Sequence, residues 1–259
     1  MRPTVICFSG LDPSGGAGNE DGTHDASLFM SKTYMKSGTF MTGVALSGAG
    51  WQNSYYLGIN NASNATGKRL FEMEGGYLAN SIAGGMDVSM TGTKNSDQYI
   101  NVFIRIRGGH VLGCIYGGAR KALSQGSRQI VLTGGEVNGW IAGGANGDES
   151  TDGSTAGASY IYVGGNAIVG GEGSETSIGS SIGGCVYGAG CGYGPESSSG
   201  QMELGTNVVV ADNAYVERGV YGGGAFGYCA TDQTANIYIT GGPGAGIGGS
   251  GLRVSPAAF

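Results

Sequence analysis

The side chains able to do acid–base chemistry are few, and most of them fall in loops. Asp148, Glu149 and Asp152 stand together in one polar, glycine-containing stretch, and Glu20, Asp21 and Asp25 lie in or beside another. Glycoside hydrolysis needs two carboxyls flanking a cleft, and lyase chemistry needs a base with a shifted pKa; loop acids satisfy neither by spacing alone. Glu72 and Glu74 lie on a strand-like segment, with Arg105 and Arg107 as their expected partners one repeat further on. Only two histidines exist, His24 and His110, and no Ser/His/Asp or Cys/His spacing surrounds them. His110 follows a Gly-Gly corner, in the column of Tyr77 and Glu136, and is expected to be a solvated corner residue. The five cysteines (Cys7, Cys114, Cys185, Cys191, Cys229) include no C-x-x-C pair, so metal-ligand spacing is absent. Cys185 and Cys191 flank a Gly-rich turn that a disulfide could bridge; the plainer expectation is small apolar residues in the interior. No catalytic residue, cofactor-binding residue or metal ligand is therefore assigned.

Two glycine-rich patterns carry little more. Gly170-Gly171-Glu172-Gly173-Ser174-Glu175 is similar to a calcium-binding nonapeptide, but a calcium roll shares each ion between consecutive copies and one imperfect copy is present. None of the glycine-rich segments ends in Gly-Lys-Ser/Thr before a helix, so none is a phosphate loop. The chemistry that remains is aromatic. Tyr116, Tyr187 and Tyr221 fall in one column, expected on the exterior, and are the candidate ligand-stacking residues; the alternative is a ladder that stabilises the structure.

These columns come from a repeat. Asn101 to Ala119 and Arg128 to Ala145 say one phrase twice: a β-rich run ending in Gly-Gly, then a shorter run closed by a second glycine pair. With the first glycine pair as anchor, six copies end at residues 75–76, 108–109, 134–135, 164–165, 212–213 and 241–242. Two residues before the anchors stand Met73, Ile106, Leu132, Tyr162, Val210 and Ile239; four before stand Phe71, Ile104, Ile130, Tyr160, Val208 and Ile237. Residues two apart on a strand share a face, so both columns are expected inside, with Glu72 over Arg105 and Glu74 over Arg107 outside. In the shorter run Ile82, Ile115, Ile141, Val186 and Val220 should point inward, and Ala83, Tyr116, Ala142, Tyr187 and Tyr221 outward. Cys114 and Cys185 share a column with the Trp140 rung between them, too far apart to bridge. The long interval from 164 to 212 is expected to hide an extra rung around Ile182 to Gly190.

Composition agrees with a packed repeat. Glycine supplies 56 of 259 residues, roughly three times the usual share of about 7%, yet Pro numbers 5 and there is no Gly-X-Y period. Charged residues make up 12% and hydrophobic ones 40%, which argues against disorder. A net charge of −6 with scattered basic residues argues against nucleic acid as partner. No apolar run is long enough to span a membrane, and the apolar part of Met1 to Phe8 is too short for a signal peptide. The chain is expected to begin inside a strand, as a mature fragment or one section of a longer protein. The sequons at Asn61 and Asn64 are expected to be chance occurrences.

The phrase Gly-Gly-x-Val-x-Gly-x-Ile-Tyr-Gly-Gly-Ala, echoed at 184–190 and 219–224, resembles the Gly-rich right-handed β-helix repeats of large secreted or surface proteins of Bacteroidetes-like bacteria. It is also similar to adhesin-type passenger domains, and the resemblance covers roughly 69–249. It implies a right-handed, single-stranded parallel β-helix (a β-solenoid) and a secreted or cell-surface location. Residues 1–67 are expected to form irregular N-terminal rungs and 68–259 the regular repeats. The function expected is non-catalytic: adhesion, binding or scaffolding, with glycans or another surface protein as partner, through loops and exterior tyrosines. The rival expectations are a polysaccharide lyase or hydrolase, or a phage tail-spike-like fibre, on the same fold.

Overall fold

A computed structural model describes residues 6–8, 30–40, 54–56, 66–79, 81–84, 99–119, 124–145, 155–171, 177–178, 181–191, 202–225, 233–241 and 246–247. Every regular element among them is a strand. After β1 (Ile6–Phe8), the first rung is β2 (Met30–Met35), β3 (Thr39–Phe40) and β4 (Ser54–Tyr56). The second is β5 (Thr66–Met73), β6 (Tyr77–Leu78) and β7 (Ser81–Ala83), and the third β8 (Tyr99–Ile106), β9 (His110–Val111) and β10 (Ile115–Tyr116). A short β11 (Ser124–Gln125) leads into the fourth rung, β12 (Arg128–Leu132), β13 (Glu136–Val137) and β14 (Ile141–Ala142). Likewise β15 (Thr155–Ala156) leads into the fifth, β16 (Ser159–Val163) and β17 (Ile168–Val169), then the pair β18 (Ser177–Ile178) and β19 (Ser181–Ile182), then β20 (Cys185–Tyr187). The sixth is β21 (Thr206–Asp212), β22 (Tyr215–Val216) and β23 (Gly219–Tyr221); β24 (Ala235–Gly241) and β25 (Gly246–Ile247) begin a seventh.

The first strands of the seven rungs lie side by side in one long sheet, the second strands in another, and the third strands of the first six in another. Within each sheet the rung-to-rung pairing is parallel, as in β5 with β8, β6 with β9 and β7 with β10. Antiparallel pairing is confined to β1 against β2 and β18 against β19 among the described residues. The protein is thus all-β, built on three parallel sheets. Most of residues 1–67 lie outside the described residues, but β2, β3 and β4 each pair in parallel with the next rung.

Alternation explains which side chains enter the shared core. Phe71, Ile104 and Ile130 stack across adjacent rungs, as do Met73, Ile106 and Leu132, and all are fully buried. Leu78, Val111, Val137 and Val169 join them from the second sheet, and Ile82, Ile115, Ile141 and Val186 from the third. Burying each such side chain contributes about 1.5–3 kcal/mol. From β7 onward, the glycine after each third strand lets the sheets close on one another. A Cβ on Gly84 would lie 2.7 Å from Val102 Cγ1, on Gly117 2.9 Å from Arg128 Cβ, and on Gly188 2.8 Å from Thr206 Oγ1.

Three expectations need correction. In the fifth rung the register is offset by one residue: Ile161 and Val163, not Tyr160 and Tyr162, lie beside Ile130 and Leu132 and are buried. The cause is the corner. Thr133 to Gly135 join β12 to β13, whereas Gly164 to Ala167 join β16 to β17 with one residue more, and a one-residue shift moves every side chain to the other face. Second, there is no extra rung near Ile182 to Gly190. β20 is the third strand of rung five, between β14 and β23, and the added length holds the β18–β19 pair. Third, Ile237 and Ile239 continue the interior columns in register with Val208 and Val210, yet both are exposed, Ile239 at 60%. No described strand lies beyond β24 to cover them.

Candidate functional site

The column of Tyr116, Tyr187 and Tyr221 lies where expected in register, on the side of the third sheet away from the shared core. Its exposure is not as expected. Tyr116 and Tyr187 are buried, at 3% and 5% exposure, and only Tyr221, at 50%, reaches solvent. The first two sit in a second apolar cluster with Ala83, Cys114, Trp140, Ala142, Cys185 and Cys191. Third strands such as Cys185-Val186-Tyr187 are apolar at every position, and such a run is buried on both faces. Tyr116 packs against Trp140 at 6.0 Å, and Tyr221 stacks on Tyr187 at 5.2 Å and 15°. A ligand therefore has access to Tyr221 alone of the three candidates.

Cys114 and Cys185 are free thiols, and with the buried Cys191 they lie in this second cluster, not in the shared core. The Trp140 rung does separate Cys114 from Cys185. Burial pushes the Cys114 thiol up to about 12, a state that suppresses thiolate reactivity.

The outer face of the long sheet carries Tyr160 and Tyr162, which were expected inside, together with Tyr238. On β16 Tyr160 is exposed and Tyr162 half-buried; on β24 Tyr238 is 51% exposed. Register places Tyr162, Val209 and Tyr238 in one column across three rungs, and Tyr160, Asn207 and Asn236 in the next. A Cβ on Gly164 would meet the Tyr162 ring, so this ring lies over the glycine. Its hydroxyl donates to Asp212 Oδ2 at 2.8 Å, and the same oxygen accepts the Gly165 N–H at 2.8 Å. The Gly165 bond and then the Tyr162 hydroxyl hold the Asp212 carboxyl below its ordinary value, while that bond raises Tyr162. Asp212 has φ 57°, the left-handed conformation that Asp tolerates better than most residues, and it takes the corner that Gly165 (φ 59°) takes one rung earlier. Beside this plate Asn236 Nδ2 donates to Asn207 Oδ1 at 3.0 Å. The signal available in the sequence was the acid itself: Asp212 stands where the other anchors have glycine.

Toward the other end of the same face the charges pair with one another. Arg107 binds Glu72 at 2.9 Å and Glu74 at 3.8 Å, and Arg105 reaches Glu72 at 3.5 Å and lies over the Phe103 ring at 4.8 Å. Glu72 opposite Arg105 is the expected register. On the second sheet His110 lies between Tyr77 and Glu136 as expected, but it is not simply solvated. Its Nε2 is 2.5 Å from Asn138 Oδ1 and 3.9 Å from Glu136 Oε1, and its ring meets the edge of Tyr77 at 5.4 Å. The loop acids Asp148, Glu149, Asp152, Glu20, Asp21 and Asp25, His24, Glu175 and both sequons lie outside the described residues. Among the described residues no group of three His, Cys, Asp or Glu could hold a metal ion, and no helix is long and apolar enough to cross a membrane.

Fold and face together define an all-β protein of three parallel sheets with an aromatic and amide platform on the longest. Compared with family models, curated proteins and solved structures, the chain matches none.

Proposed function

We propose that the chain is a right-handed, single-stranded parallel β-helix, secreted or held at a bacterial surface, that binds a glycan without turning it over. Parallel crossover connections are right-handed in nearly all proteins, and a core shared by three parallel sheets is what successive turns of such a coil produce. The surface location rests on the resemblance of the Gly-Gly-x-Val-x-Gly-x-Ile-Tyr-Gly-Gly-Ala phrase to exported repeats.

The observation that carries the binding reading is the group Tyr160, Tyr162 and Tyr238 with the paired amides of Asn207 and Asn236 on one open face. Tyrosine offers large, stiff, amphipathic area with few rotatable bonds, and here the Tyr162 hydroxyl is already tied down. Asp212 spends its bonds on Tyr162 and Gly165 and is held in the ionised form, which suits a positioning role rather than proton transfer. The test is a glycan array run beside a depolymerisation screen on the same polysaccharides. Retention that falls in Tyr160→Ala and Tyr238→Ala, with no product released, is the expected result; released oligosaccharide would overturn the non-catalytic reading.

A further inference from the structure

We infer that the platform on β16, β21 and β24 takes an uncharged sugar chain lying along β21, an inference that rests on the glycan-binding reading above. The shape comes from side-chain size in register. Val209 on rung six stands between Tyr162 on rung five and Tyr238 on rung seven. Two strand spacings, about 10 Å, separate the two tyrosines, with a short side chain between them. The result is a shallow trough parallel to β21, with the Tyr162 ring laid over Gly164 on one side and Tyr238 on the other. Aromatic faces suit the C–H faces of sugar rings, and a ring already held in place loses little freedom on binding.

Polarity selects within the sugars. The Asn236 Nδ2 to Asn207 Oδ1 bond leaves Asn207 Nδ2 as a donor and Asn236 Oδ1 as an acceptor, one rung apart. A neighbouring donor and acceptor suit the adjacent hydroxyls of one sugar ring. Charge excludes the acidic glycans. Ser159–Val163, Thr206–Asp212 and Ala235–Gly241 contain no lysine or arginine, and their one charged side chain is the Asp212 carboxylate. A uronate or sulfate would meet an anion and no cation on these strands, whereas a neutral ring meets rings, amides and Val209.

The test measures retention of the full chain on three immobilised polymers, neutral, uronate-bearing or sulfated, and amino-sugar, at low and high salt. Retention on the neutral polymer with little salt dependence is expected, because no ion pair forms to be screened. Tyr238→Ala should weaken it roughly tenfold, the scale of one lost stacking contact, and Tyr162→Phe, which frees the ring, by a few-fold. Tyr221→Ala, on a different sheet, should leave it unchanged. Circular dichroism and thermal melts confirm that these surface variants fold. Salt-sensitive retention on the acidic or amino-sugar polymer, or dependence on Tyr221 alone, overturns this inference while glycan binding stands. Retention on none of the three overturns both.

Discussion

Gly143 closes the corner after β14 and shows how closely the rungs approach. A Cβ at this position would run into the Gly188 carbonyl oxygen on the next rung and lie 2.5 Å from Ser159 Oγ and 2.6 Å from Ser159 Cβ. Gly143 is not among the positive-φ glycines, so the strain of Gly143→Ala is purely one of space. To admit the methyl group the rungs must part here by on the order of 1 Å, since carbon contacts settle only near 3.5–4 Å. That displacement weakens the Gly143 N–H bond to Tyr187 O (2.9 Å) and the Ser159 Oγ bond to Gly188 O (2.5 Å). Two hydrogen bonds at about 1 kcal/mol net each, with about 1–3 kcal/mol for overpacking, give a loss of roughly 3–5 kcal/mol. Gly222 is the control, because it holds the same place two rungs later and the nearest atoms its Cβ would meet belong to Ala235 on an exposed strand, at 3.0 Å from Cβ and 3.2 Å from the carbonyl oxygen. Gly222→Ala should cost less than about 1 kcal/mol, helped by the chain freedom that alanine removes from the unfolded state. Urea denaturation followed by tryptophan emission compares the two. Equal losses, or a loss below about 1 kcal/mol for Gly143→Ala, would refute the argument that the glycine column sets the rung spacing.

Ile161→Ala should destabilise by about 2–5 kcal/mol while Tyr160→Ala stays within about 0.5 kcal/mol; the reverse order in denaturation would restore the register in which tyrosine faces the core. Ile106→Asp places a charge in the fully buried column and should open the neighbouring rungs, read as lost amide-exchange protection in β8 and β12. Asp212 is depressed, so its contribution is present above its unfolded pKa of about 3.9 and lost as pH falls through the lower folded value. Tyr162 is raised, so its contribution holds below about pH 10 and is lost as pH rises through the folded value. An NMR titration of the Tyr162 ring should therefore show its ionisation moving to lower pH in Asp212→Asn, and no movement would refute the pinning. Cys114 should resist alkylation at pH 8.5 in the native protein and react on unfolding; equal rates in both states would contradict its burial.

The repeat made rungs two to four legible, because Phe71, Ile104 and Ile130 recur at one distance before each closing glycine pair. In rung five the glycine pair drifted from the register of the strand it follows, since the corner from Gly164 to Ala167 had lengthened. Tyr160 and Tyr162 alternate with Ile161 and Val163, and aromatic and branched residues both suit a strand interior, so hydropathy gave no warning of the offset. For Tyr116 and Tyr187 the warning was present. Cys114-Ile115-Tyr116 and Trp140-Ile141-Ala142 offer no polar residue for a solvated face, and alternation cannot reveal an outer cluster assembled from Trp140, Cys114 and Cys191. The Tyr162–Asp212 pin, spanning fifty positions, depends on which strands neighbour each other and becomes visible only with the register known.

Parallel pairing also fixes how the molecule meets force. Its sheet hydrogen bonds, such as Gly117 N–H to Ala142 O and Thr133 N–H to Ile106 O, run from rung to rung along the stacking direction. Tension drawn between the first and last rungs therefore loads these bonds end-on, a few at a time, and peels one rung before straining the next. Each rung contacts only its neighbours, so extension should proceed in small successive yields instead of a single rupture. Under the function proposed above, a surface protein holding a glycan in flow, such stepwise yielding works as a shock absorber.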